Sequence, residues 1–247
     1  MKWPDYINHP SRVPITGTHN HGTSRPTMIS MAWKYGLLLI CVLFCNSSAQ
    51  NNKQVENPAI WEPPPTIDFP GSVKASIPNE MITSLRVGGK SIVLDETDLK
   101  EVQRDVRGPI GHRGDAGDSL HWLCLRGRDA RDEWVLWLMS GEINGGSVGG
   151  FRWQRVEQTA QVDTRCQTLP DGRSGVEFPL AVRLGTSEGE ILRILGRPSN
   201  RHGDTLLYLH EHEMTIKNQP FTAMNTVAVL LRKQAVWAIE AWKSTTD

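Results

Sequence analysis

The strongest constraint on how this chain can fold is a pattern that occurs twice. It reads as an apolar pair, a helix-capping group, a short amphipathic stretch, then Gly and Pro. The first copy runs from Ser91 to Pro109 and the second from Ala181 to Pro198. Asp95 with Asp98, and Ser187 with Glu190, put side-chain oxygens where the first N–H groups of a helix lack partners. Leu99, Val102 and Val106 share one helical face, as do Ile191, Ile194 and Leu195. Gly108 and Gly196 offer a left-handed stop, and Pro109 and Pro198 forbid continuation.

Strand patterns follow each helix. Asp118-Ser-Leu-His-Trp-Leu-Cys-Leu125 matches Asp204-Thr-Leu-Leu-Tyr-Leu-His-Glu211, with Trp122 opposite Tyr208. Two further strands follow in each copy, at 133–139 and 150–156 and then at 226–231 and 235–242. The Gly-rich segment 144–150 and the pair Lys233-Gln234 supply turns. The expected class is α+β: two tandem repeats, each a short helix followed by an antiparallel three-stranded meander, with the helices on one sheet face. The first repeat is expected over 72–165 and the second over 166–247. The Pro- and Asn-rich segment 50–71, containing Pro63-Pro-Pro65, reads as an extended linker or arm.

The second copy resembles the SmpA/OmlA (BamE-like) family of bacterial envelope proteins. The resemblance is carried by Leu184-Gly185-Thr186-Ser187, Glu190-Ile191, Leu195-Gly196-Arg197-Pro198, the Tyr208 strand and the closing hairpin from Val227 to Trp242. Tandem use of such a unit is similar to the β-lactamase inhibitor protein fold. The resemblance implies a protein-binding or assembly role without catalysis, with another protein of the cell envelope or exterior as partner. It carries over no inhibitory residue. The family's lipid anchor finds a poor context here, because Phe44 and Ile40 precede Cys45 and Cys41 where a small residue is usual.

Upstream, the uncharged run from Tyr35 to Cys45 follows Lys34 and precedes Ser47 and Ala49. As a helix its eleven residues rise about 16 Å, against a hydrocarbon core of roughly 30 Å. That excludes a membrane span and fits a cleavable signal peptide over 28–49, cut after Ala49, for a periplasmic or secreted protein. Residues 1–27 lack any apolar period and read as a mis-assigned or disordered extension, with Met28 or Met31 as the working start. Without residues 1–49 the chain has 23 basic and 26 acidic groups, which gives no basic footprint for nucleic acid. Export leaves Cys124 and Cys166 in an oxidising setting, which favours a disulfide over two separate buried thiols.

Candidate functional residues are few, and no cofactor is implied. Trp122, Trp137, Trp153, Tyr208 and Trp237 are the candidate binding surface, since aromatic groups are enriched at binding hot spots. Trp134 and Trp137 have odd spacing and must point to opposite faces. The face away from the helices is therefore either open to a partner or buried as a second layer under the arm or the other repeat. His210 and His212 fall on one side of a strand and are the best metal candidates, although a solvated strand end explains them as well. The alternative function is a periplasmic hydrolase or metal-binding protein using those two histidines. No Gly-x-Ser-x-Gly occurs: Ser140-Gly-Glu and the Ser147 loop lack its spacing. N-terminal sequencing of the exported protein is expected to begin at Gln50; a sequence starting at Cys45 would mean lipid processing instead.

Overall fold

Both expected helices form, α1 (Leu99–Val106) and α2 (Glu188–Leu195). The Asp98 carboxylate accepts from the Lys100 and Glu101 amides, and the Ser187 hydroxyl accepts from the Glu190 amide. α1 buries Leu99 and Val102, and α2 buries Ile191 and Leu195. The stop of α1 differs from expectation: Arg107 (φ 59°), not Gly108, takes the left-handed position. Gly108 is needed for space instead, since a Cβ there would lie 3.0 Å from the Leu123 side chain.

A computed structural model describes residues 59–67, 74–75, 77, 79–129, 132–169 and 175–246. The expected upstream extension, the signal peptide with Cys41 and Cys45, and most of the linker lie outside the described residues. Among those described, no helix is long and apolar enough to cross a membrane.

The expected α+β chain of two tandem repeats, each with its own meander, does not form. The described residues are mostly β, with two α-helices, one nine-stranded sheet and one three-stranded sheet. The small sheet is ordered β2 (Lys90–Val93), β1 (Ser84–Val87), β8 (Val176–Glu177). The large sheet begins with β3 (Ile110–Arg113), β4 (Leu120–Arg128), β5 (Glu133–Gly141) and β6 (Gly150–Arg155). It continues with β12 (Ala235–Thr246), β11 (Gln219–Arg232), β10 (Thr205–Ile216) and β9 (Asn200–His202). All of these pairs are antiparallel; only the short β7 (Gln167–Thr168) runs parallel, beside β4.

The physical reason lies at β6 and β12. Each would otherwise be an edge strand with unpaired N–H and C=O groups, and edges invite pairing. Here they pair with each other from Gly150↔Trp242 to Gln154↔Ala238, which merges both halves into one sheet. The expected equivalence of Trp122 and Tyr208 fails for a related reason. Tyr208 faces the helices, whereas Trp122 faces away from them. The two strands are offset by one residue, and a one-residue offset exchanges the faces of every side chain.

Register is further held by indoles lying over glycines. Trp122, Trp134 and Trp242 stand opposite Gly111, Gly127 and Gly150 on neighbouring strands. A Cβ on any of those glycines would come within 2.1–2.3 Å of the opposing ring. The glycines are therefore seats for tryptophan, which recovers contact a bare backbone would lose.

The sheet carries a core on each face. Toward the helices lie Leu123, Leu125, Trp134, Leu136, Phe151, Trp153, Tyr208, Val227 and Ile239, together with Leu85, Ile92, Leu99 and Ile191 from outside the sheet. On the second face, Trp122, Val135, Trp137 and Met139 are covered by Trp61 and the connector residues Val162 and Cys166. The arm does more than extend: Trp61 and Pro63 are buried. Its Ile60 amide donates to the Gln161 carbonyl, its Ile60 carbonyl accepts from the Asp163 amide, and its Trp61 carbonyl accepts from the Trp137 indole at 3.0 Å. The connector is tied down in turn by a disulfide between Cys124 and Cys166, 42 residues apart. Closing a loop of that size stabilises the folded chain by about 4 kcal/mol. Replacing both cysteines by alanine is expected to lower the unfolding free energy by about that amount in urea denaturation. Because the arm rests on the connector, Trp61 fluorescence should report early loosening in the same variant.

Candidate functional site

The second face also carries a cleft beside the described part of the arm. Ile67, Leu120, Ile143, Met224 and Trp242 line a cleft of about 640 Å³ there, with Arg113 and Glu142 among its polar groups. One wall comes from two single-turn 3-10 helices, Ala116–Asp118 after β3 and Glu142–Asn144 after β5. The Asn144 side chain holds the second of these in place. It accepts from the Gly141 amide and donates to Asp95 and to the Lys243 carbonyl. This pinned turn lifts Ile143 into solvent at 66% exposure, and Met224 on β11 is 41% exposed. Two large apolar side chains at the rim of one cleft form the kind of exposed surface that marks a binding site.

A buried ion pair supports the cleft. The Arg152 guanidinium donates to Glu240 at 3.1 Å, and both side chains are almost wholly buried. Glu240 also accepts from the Trp242 indole at 3.0 Å and from the Ile67 amide at 3.1 Å, while Arg152 donates to Gln154. Two cleft residues, Ile67 and Trp242, are thus held by one carboxylate. Burial pushes the Glu240 carboxyl above the usual carboxylate range, against the opposing pull of Arg152, the Ile67 amide and the Trp242 indole.

Most of the aromatic residues expected as a binding surface do not form one. Trp122 and Trp137 are buried beneath the arm and connector, so the second-layer alternative applies to them. Trp153 and Tyr208 are buried on the helix face, Trp153 edge-on to Trp134 at 6.3 Å. The Tyr208 hydroxyl donates to the Gly196 carbonyl, and burial, with the nearby Glu188 charge, pushes its pKa up to about 12. Trp237 is half-buried at a β-bulge, the residue left unpaired between Leu230↔Ala238 and Leu231↔Val236. The Arg232 guanidinium stacks over its ring at 3.9 Å. The physical reason is shared: large rings give the most burial, so a sheet with two cores takes them inside.

The cleft residues escape sequence reasoning because they look ordinary in the chain. Ile143 is a lone apolar residue in a turn of Glu, Asn and Gly, and that isolation is the one signal that marks it. Met224 precedes the expected start of its strand, which begins at Gln219 because the β10–β11 hairpin turns at Lys217-Asn218, both with positive φ.

His210 and His212 do come together. Their rings lie 5.1 Å apart, with His210 Nε2 at 3.2 Å from His212 Nδ1. Among the described residues no group of three or more His, Cys, Asp and Glu is arranged to hold a metal ion. Ser140 is buried with its hydroxyl unpartnered, and His121 stands directly across the β4–β5 pair. The His121 imidazole is held below the ordinary histidine value by burial, then by His112 and Lys100. No protein-family model, curated protein or solved structure matches this chain.

Arg152→Met is expected to destabilise the fold by about 3 kcal/mol near neutral pH, because it strands the Glu240 charge in the interior. The penalty should shrink as pH falls, since protonation removes that stranded charge. Chemical denaturation of both proteins across the acid range reads the difference directly.

Proposed function

We propose that this chain is an exported binding module of the cell envelope or exterior. It takes an extended, apolar segment of a partner protein into the cleft beside Ile67 and performs no chemistry of its own. The observation that carries the reading is continuity on the second face. There the arm residues Ile60 to Ile67 lie against the sheet and bury Trp61 and Pro63, and Ile67 itself lines the cleft. The face that holds this strip of chain also carries the cleft beside it.

The polar groups suit that role. Asp118 and Glu142 lie among the lining residues and offer acceptors to the backbone of a bound segment, while the Arg113 guanidinium donates to the Pro63 carbonyl of the arm at 3.0 Å. The rim residues Ile143 and Met224 would supply the apolar contacts, in the manner of a few residues carrying most of an interface's energy. The resemblance to BamE-like envelope proteins, and the leader expected before Gln50, support the same reading of place and role.

The test is a photo-crosslinking amino acid at Ile143 in the exported protein, with a control at Lys217 on the hairpin tip. A specific envelope or secreted protein should crosslink from Ile143 and not from Lys217. Met224→Asp should weaken that protein's binding by about thirtyfold, corresponding to the roughly 2 kcal/mol typical of a hot-spot residue. Equal crosslinking from both positions, or unchanged binding by Met224→Asp, would overturn the assignment.

A further inference from the structure

The structure holds a second arrangement that the cleft does not use. We infer that His210 and His212 form a two-histidine site for a divalent late transition-metal ion, with copper(II) held most tightly. Both histidines sit on β10, two residues apart and on one side of the strand. Spacing alone would allow their rings to splay apart. What brings them into use is the third group.

His210 Nδ1 lies 2.9 Å from the Ile77 carbonyl oxygen. A carbonyl only accepts, so Nδ1 carries the hydrogen. In the neutral ring the lone pair is then left on Nε2, the nitrogen that faces His212 Nδ1 at 3.2 Å. A backbone carbonyl on the far nitrogen is the usual outer partner of a metal-binding histidine, because it sets the tautomer and stops the ring turning. Ile77 is itself held in position, since it is buried and its amide donates to the Leu209 carbonyl on the same strand.

In the absence of an ion, His212 Nδ1 donates its hydrogen to His210 Nε2. His212 is exposed, so its proton passes readily through water to its own Nε2. Both lone pairs then converge. Two nitrogens 3.2 Å apart, each about 2.0–2.1 Å from one ion, subtend an angle of about 100°, between square-planar and tetrahedral ligand angles.

The surroundings leave the rest of the coordination sphere open. Opposite His212 on β11 stands Ala223, which is small, and opposite His210 stands Asn225. The Asn225 side chain is already engaged: its oxygen accepts from the Met81 amide and its nitrogen donates to the Trp242 carbonyl. The ion would therefore take two protein nitrogens and fill its remaining positions from solvent or from a bound molecule. Neutral imidazole pairs suit copper, nickel and zinc, and among divalent ions of this series copper(II) binds such donors best. The disulfide places the chain in an oxidising setting, where copper is divalent.

The experiment is a copper(II) sulfate titration of the untagged full-length chain carrying His19→Ala and His21→Ala, followed by calorimetry and electron paramagnetic resonance. One equivalent should bind with hyperfine splitting from nitrogen ligands and should raise the melting temperature. Adding His212→Ala should abolish that equivalent and the thermal shift while leaving the circular dichroism unchanged. His112→Ala should keep both, which separates this pair from the His112 and His121 rings 4.5 Å apart. Zinc should bind the same site more weakly and compete with copper. An unchanged copper equivalent in the His210→Ala, His212→Ala double variant, or no copper bound by the parent chain, would overturn the inference. Failure of the cleft to capture a partner would leave this result untouched, since the two sites share no residue.

Discussion

A single covalent bond decides whether the second face of the sheet is inside or outside. Cys124 lies in the middle of β4, and its disulfide to Cys166 draws the connector across that face. The arm then hydrogen-bonds to the connector through Ile60, and its Trp61 packs against Trp122 with ring centroids 5.8 Å apart. The Arg165 guanidinium closes over the outer side of Trp61 at 4.5 Å. Remove the tether and the most apolar part of β4 and β5, with Trp122 and Trp137, would meet water. The fold is a sheet with helices on one side and a strapped-down strip of irregular chain on the other. The cleft lies on that second side, with Ile67 of the strip as one of its lining residues.

Much of the local structure is legible in the sequence because local rules write it. The caps at Asp98 and Ser187, the turn at Lys233-Gln234 and the opposite facing of Trp134 and Trp137 all follow from rules acting over a few residues. What is not legible is set by distant pairing. Nothing in the alternation of β6 or β12 says that they are neighbours, so two expected repeats become one sheet. The alignment of Trp122 with Tyr208 looks natural on paper, yet a one-residue offset puts them on opposite faces. Composition marks the arm as extended but does not reveal that Trp61 anchors it.

The candidate sites follow the same division. The spacing of His210 and His212 is visible in sequence, but the Ile77 carbonyl that aims one ring is more than a hundred residues away along the chain. Aromatic content points to binding in principle, and the sheet takes most of those rings into its two cores instead. The cleft is built from what the cores leave over: one isoleucine lifted on a turn, one methionine on a strand, and a tryptophan whose indole is held by a buried carboxylate. That carboxylate is a specificity device as much as a stabilising one. A buried charge tolerates few arrangements of its neighbours, so it holds Ile67 and Trp242 in one geometry.

The arm also sets an order of events. Ile67 finds its acceptor on Glu240, 173 residues later, and Ile60 finds its partners beyond residue 160. A chain that emerges from its amino end first holds the strip ready long before the surface beneath it exists. The second core waits for the connector near residue 166, and the Ile67 end of the arm waits for the last strand, so the earliest residues of the fold are among the last to settle. Contacts this distant in sequence close slowly. Until they do, Trp61, Trp122 and Trp137 are exposed together, and in that interval the unfinished protein has its greatest need of shelter from other chains.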